Sequence, residues 1–446
     1  MKLYAGKPLY FAVLCPAALM LSLSCRADFS GTLDQEWAYG TAGTHESQKF
    51  ESIIEPEWRE FWGESSITAR ARLRADTVGS LGAEKRRPIN YSKMNGPVYN
   101  DAHAELTLRE LYIDGAMESH GAIPEMTWRM GKQQVVWGQA DGLKVLDVVN
   151  PQSYREFILD QFDDSRIPLW MLNVSWIFDN SSSLQVLWVP DTSVHELAEV
   201  GSTYQMTTPL LVPRLRLAPG QQVQVDTDHS PSNAFEDSDA GFRYSIFWRG
   251  WDLTLNYFYH YQDTPAIYQI ATPSGAILRP EYKRDHLFGG TASNAMGDFT
   301  LRTEFGYHSD SYFLADSPAS GGIQNSPEIA SVIGLDWQGL SDTLISVQWF
   351  QSYLLKSDLS TQRHQTEHTL TGLARRNFQN DTWEAQVLVL HAITQHDGLV
   401  RPKVTHALLS QLDVWIAADL FYGRTKGLYG QFDHNDRILL GFELGF

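Results

Sequence analysis

Along most of this chain apolar and polar side chains alternate with a period of two, the spacing of strands whose two faces meet different surroundings. From Trp251 to His260 the odd positions are apolar or aromatic and the even ones mostly polar, and Phe299 to His308 repeats the design. Further examples run from Ile67 to Asp76, with Arg70, Arg72 and Arg74 on one face, and through Phe242 to Arg249, Ser183 to Val189, Ile345 to Tyr353, Trp383 to Val389 and Leu412 to Tyr422. Each is about ten residues long, the length of a tilted membrane strand with one face toward lipid and one toward water. The chain closes on the same pattern: Ile438, Leu440, Phe442, Leu444 and Phe446 form an apolar face opposite Arg437, Gly441, Glu443 and Gly445. A closed barrel needs such a last strand to pair with the first, because an unpaired edge is intolerable in lipid.

These features predict an all-β fold, a transmembrane antiparallel β-barrel of 12–18 strands with 14 or 16 favoured, and place the protein in the outer membrane. The terminal aromatic resembles the C-terminal signal read by the outer-membrane assembly machinery, an expected partner together with outer-membrane lipids. Arg249-Gly250 joins two alternating runs and reads as a tight hairpin. The polar stretches within Pro190 to Ala240, Ser309 to Pro327 and Thr361 to Glu367 read as long loops on the opposite rim.

Near the start, Lys2 and Lys7 precede an apolar run from Leu9 to Leu23, and Cys25-Arg26-Ala27 supplies small residues around a cleavage point. Residues 1–27 therefore read as an export signal and residues 28–446 as a single barrel. The signal would remove both cysteines, so disulfides cannot supply the rigidity of the mature chain. With 53 acidic against 35 basic residues the chain is strongly acidic, which argues against nucleic acid as a partner.

Alternation is lost within residues 133–168, and glycine and mixed charge take its place. This stretch is expected to fold inward as a loop or plug, where irregular backbone is tolerated because it lines a lumen. A short helix is expected at Tyr154 to Leu159, with Asn150 or Ser153 available as its cap. Arg109, Lys132, Trp137, Asp141, Asp147, Asn150, Arg155, Asp164 and Arg166 are the candidate lumen or gate residues. Groups of both signs enclosed at low dielectric must pair, so these charges either hold the segment against the wall or touch a solute. The aromatic rings could likewise pack the segment or offer an apolar solute a rigid surface.

The stretches Leu108 to Tyr112, Gly131 to Gly142, Asp147 to Pro151, Arg155-Glu156-Phe157 and Asp164 to Trp170, joined by Ser245 to Asp263, resemble the hallmark blocks of a large proteobacterial family of unknown function. Its members are often encoded beside a lipoprotein-sorting-like protein and an exporter of the resistance-nodulation-division superfamily. The resemblance implies an outer-membrane channel or transport component for small hydrophobic compounds, with an exporter-associated periplasmic partner.

The residues give little sign of catalysis. No Gly-x-Ser-x-Gly elbow, nucleotide loop, cysteine metal site or His-Glu zinc motif occurs, so no catalytic, cofactor or metal residues are assigned and a lipid-modifying enzyme is disfavoured. His103, His260 and His308 read as isolated strand residues. The expected function is passage of small apolar or amphipathic molecules. A general porin for hydrophilic solutes and a structural or adhesive barrel are the alternatives.

Overall fold

The computed structural model describes residues 27–446 except residues 44, 80, 82–90, 122, 141, 179–180, 216, 227–229 and 319–320. All but Ala27 of the expected export signal lies outside the described residues, as does Asp141.

The wall is built from β1 (Ala27–Gly40), β2 (Ser47–Trp62), β3 (Ser65–Asp76), β4 (Ala104–Met117), β5 (Glu125–Gln133) and β6 (Leu169–Phe178). It continues through β7 (Ser182–Val189), β8 (Asp239–Trp248), β9 (Trp251–Tyr261), β10 (Arg284–Met296), β11 (Phe299–Leu314) and β12 (Ile323–Trp337). β13 (Thr343–Leu354), β14 (Thr366–Phe378), β15 (Trp383–Ala392), β16 (Asp397–Leu409), β17 (Leu412–Gly423) and β18 (Arg437–Gly445) complete it. Each strand pairs antiparallel with its sequence neighbours, and β18 returns to β1 in a register running from Thr32 opposite Gly445 to Gly40 opposite Arg437. The barrel is thus closed and has 18 strands, at the top of the expected range and not the favoured 14 or 16. The undercount has a physical origin, because several strands lack a clean polar inward face. β10 carries Leu287 and Gly289 toward the interior and β16 carries Leu399, so period-two polarity is blurred there.

Over most of the wall the two faces still separate. Leu255, Phe288, Phe305, Ile333, Val347 and Ile416 are exposed on the outside, while Asn256, Thr291, Glu304, Gln348, Asp419 and Arg437 are buried on the inside. This inside-out distribution suits an apolar solvent around the barrel and polar groups within it. One rim has short turns, among them Arg249-Gly250, whose φ values of 51° and 87° match the left-handed positions of a type I′ hairpin. The other rim carries the long connections, including residues 134–168 and 190–238. Among the described residues no helix is long and apolar enough to cross a membrane.

The seam is finished by the terminal residue. Gly31 N–H donates to Phe446 O and Phe446 N–H donates to Gly31 O, each at 2.9 Å. The Phe446 ring lies over Gly31, where a Cβ would come within 2.6 Å of it, and near the Phe29 ring at 6.3 Å. Deleting Phe446 removes both seam bonds and the ring, so the fraction of heat-modifiable, inserted barrel should fall severalfold while synthesis is unchanged. Insertion equal to that of the intact chain would show that the seam does not depend on Phe446.

Candidate functional site

The strand β5 comes very close to β4 near its end, in an unbroken register that places Gly131 opposite Tyr112. Gly131 has φ 136°, and a Cβ there would lie 2.2 Å from Leu111 O, so only glycine permits this approach of β5 to β4. The chain then leaves the wall, and Asn150 ties the two legs of the excursion together. Its Oδ1 accepts from Val135 N–H at 2.8 Å and its Nδ2 donates to Ile167 O at 2.9 Å.

Contacts on opposite walls carry residues 134–168 across the barrel interior. On one side Trp137, Val145, Leu146 and Val149 pack against inward residues of β6, β7, β9, β10, β12 and β13, among them Met171, Leu187, Phe258, Leu287, Val332 and Phe350. Trp137 is 0% exposed, meets Phe258 edge-on at 5.5 Å, and donates Nε1–H to Gln185 Oε1 at 2.9 Å. Leu146 needs glycine opposite it: a Cβ on Gly289 would come within 2.4 Å of its methyl group. Glu304 receives the backbone N–H of Gln139 and of Leu146, and Arg302 donates to Gln139 O at 2.5 Å. On the other side Phe157 and Leu159 pack with Leu390, Leu399, Phe421, Tyr429 and Phe432, joined by Tyr204 from the loop at 190–238.

Between these apolar contacts lies a buried ionic cluster. Glu156 meets Lys49 at 2.9 Å, Arg155 at 3.0 Å and Arg437 at 3.0 Å. Lys49 also meets Glu36 at 2.9 Å and Glu51 at 3.1 Å, Arg155 meets Glu51 at 2.7 Å, and Arg437 meets Asp419 at 2.8 Å. Arg401 bridges Asp419 at 2.7 Å to the Leu159 carbonyl at 2.7 Å. Burial raises the Glu156 pKa, but Lys49, Arg155 and Arg437 together outweigh it and hold the carboxyl well below its ordinary value. The carboxylate is therefore charged throughout the neutral and mildly acidic range.

A second group lies within the segment. Arg166 binds Asp147 through Nε at 3.0 Å and Nη2 at 2.9 Å, and Asp163 at 2.5 Å, while Lys144 reaches Asp147 at 3.2 Å. From the wall, Arg109 donates to the carbonyls of Arg166 and Asp163, each at 2.6 Å, and Arg72 meets Asp164 at 2.5 Å. Lys132 donates instead to Leu108 O at 2.6 Å. The helix lies at Phe162–Ser165, later than expected, because Phe157 takes a left-handed φ of 58° and directs Arg155 and Glu156 to the wall. Glu156, Lys49, Glu51, Asp419 and Arg437 were not singled out from sequence. Glu156 lay inside one of the family-like blocks and Arg437 on the polar face of the last strand, but nothing local marked either as part of a cluster.

Below the segment a cavity of about 410 Å³ opens among Asp34, Glu36, Asp160, Arg401, Lys403 and Glu443, a lining of mixed charge. Near the long-loop rim the fold also gathers His260, Asp285 and His308, with one ligand atom of each within 4.8 Å of the others. His103, by contrast, contacts Asp76 O at 3.0 Å.

The loop at 190–238 covers the segment. Glu196–Leu197 pairs in parallel with Ser153–Tyr154, Ser153 donates to Glu196 at 2.7 Å, and Gln152 N–H donates to His195 Nδ1 at 2.9 Å. Burial, with smaller contributions from Lys144 and His260, lowers the His195 pKa from 6.5 to about 3, so the docked imidazole is neutral. Its contribution is complete above the unfolded pKa of 6.5 and is lost as pH falls toward 3, at about 1.4 kcal/mol per pH unit. Proteolysis of this loop should therefore accelerate below pH 6.5 and much less so in His195→Gln. A flat pH profile in the unmodified protein would contradict the assignment.

Residues 52–446 match the sequence profile described as "Protein of unknown function (DUF1302)". The chain belongs to the DUF1302 family. Among solved structures it is similar to OccAB3 of Acinetobacter baumannii, at 9% identity over 94% of this chain and 99% of that one, with a TM-score of 0.51. A structure of Salmonella typhi OmpF aligns at 8% identity over 95% and 98% of the two chains with a TM-score of 0.44. A loop-deleted OmpT of Vibrio cholerae gives 8%, 94%, 99% and 0.42. At these identities the likeness is one of fold, a porin-like barrel. No curated protein matches the chain.

Proposed function

We propose that this family member is an outer-membrane channel held closed by residues 134–168, and that it passes small apolar or amphipathic solutes when the segment shifts. The observation that carries this reading is the inner wall behind the segment. Leu187, Phe258, Leu287 and Phe350 on one side and Leu390, Leu399 and Phe421 on the other are buried, inward-facing and apolar. Displacement of the segment would expose those strips to a solute, and the mixed-charge cavity below them would receive its polar end. Transport follows a gradient, or export requires an energised inner-membrane partner, because the barrel itself holds no energy source.

The charged cavity also favours a second reading, a general porin for hydrophilic solutes. Proteoliposome uptake separates the two. Protein-dependent uptake of a labelled fatty acid or hydrocarbon, without matching uptake of a sugar of similar size, supports the first. Sugar uptake with no fatty-acid uptake supports the porin.

A further inference from the structure

We propose that His260, Asp285 and His308 form a binding site for a divalent transition metal of the zinc class, on the lumenal wall near the long-loop rim. The three residues stand on the adjacent strands β9, β10 and β11, with His260 directly opposite Asp285. Asp285 Oδ2 lies 2.6 Å from His308 Nδ1 and 3.7 Å from His260 Nε2. Ligand atoms around a tetrahedral zinc stand ~3.3 Å apart, so the three need shifts of about 1 Å to close on an ion.

The independent observation is the state of His260. The side chain is buried, with the residue 5% exposed, and its Nδ1 lies 2.8 Å from the Tyr261 carbonyl. That contact requires the proton on Nδ1 and leaves a lone pair on Nε2, which is buried without a hydrogen-bond partner and faces Asp285. A ring nitrogen fixed by a backbone carbonyl, with the other nitrogen free, is the arrangement by which proteins orient a metal-binding histidine.

The carboxylate is oriented as well. Asp285 Oδ1 accepts from Ser309 Oγ at 3.0 Å and from Asp310 N–H at 3.1 Å, so Oδ2 is left toward both imidazoles. The donors come from an irregularity where the pairing of β11 with β12 slips between His308 and Ser311. Such a bulge re-aims side chains at the cost of ladder pairing. The His308 side chain is 16% exposed, which gives solvent a route to the site and to a remaining coordination position. Two imidazoles and one carboxylate favour zinc, cobalt or nickel over calcium or magnesium, which prefer oxygen alone. Binding would displace the proton that His308 now shares with Asp285.

Titration of tag-free, chelator-treated barrel with Zn²⁺, and with Co²⁺ as a spectroscopic probe, tests the site. About one equivalent should bind per chain, with Co²⁺ giving the absorption of a low-coordinate nitrogen and oxygen site. His260→Gln and His308→Gln should each weaken binding at least about tenfold, while His103→Gln leaves it unchanged. Heat-modifiability identifies folded variants, and the two separate glutamine substitutions keep the test valid should one fail to fold. Absence of stoichiometric Zn²⁺ binding by the unmodified barrel, or binding by a folded glutamine variant as tight as that of the unmodified barrel, overturns the site and leaves a hydrogen-bonded clasp between strands.

Discussion

Replacing Glu156 by Gln is expected to unseat residues 134–168 and to make a quiet barrel conduct. Glu156 is 6% exposed and faces three cations, Lys49, Arg155 and Arg437. Glutamine keeps the shape but removes the charge. Lys49 keeps Glu36 and Glu51, Arg155 keeps Glu51 and Arg437 keeps Asp419, so the loss should fall near the lower end of the ~3–5 kcal/mol found when a buried pair is broken. Acid should not reproduce the effect under mild conditions. The depressed pKa means that this carboxylate stabilises the docked segment fully above its unfolded value of 4.5, and that the stabilisation is lost only as pH falls through the much lower folded value. Limited proteolysis of inserted protein should cut the variant within residues 134–168 at pH 7 and spare the unmodified chain. Identical digestion patterns would mean that the cluster does not hold the segment.

Trp137→Ala should release the opposite side. The indole is wholly buried between Phe258 and the segment and is bonded to Gln185. Truncating a buried tryptophan costs about 3–5 kcal/mol, and the lost hydrogen bond is part of that sum. The wall itself is closed by strand pairing that Trp137 does not enter, so barrel melting should move little. Hydrogen exchange should rise by about two to four orders of magnitude, the figure this free energy implies, in amides of residues 134–150 and remain unchanged in β9 and β10. Trp137→Phe should recover most of the protection. Uniform acceleration throughout the barrel would instead make Trp137 part of the general core.

The architecture was legible where each strand has a single polar face. The five-residue apolar face ending at Phe446, the Arg249-Gly250 hairpin and the run from Phe299 to His308 all announce themselves locally. Strand number was not, because β10 and β16 turn apolar residues inward to meet the segment, so they lose the alternation by which strands are counted. The site divides similarly. Asp147 and Arg166 lie within one stretch, and their pairing needs no knowledge of the wall. Glu156 and Arg437 are 281 residues apart and meet only through barrel closure, which no local spacing encodes. His260, Asp285 and His308 fail to appear for a related reason: their proximity depends on the register of three strands and on a bulge after His308.

Closure of the lumen by residues 134–168 is central to the proposed channel. Planar-bilayer recording tests it directly, by comparing the unmodified barrel with a heat-modifiable variant in which residues 138–164 are replaced by a short Gly-Ser linker. Little steady current is expected from the unmodified protein and large ohmic steps from the variant. Large steady current from the unmodified protein, unchanged when the segment is removed, would contradict it.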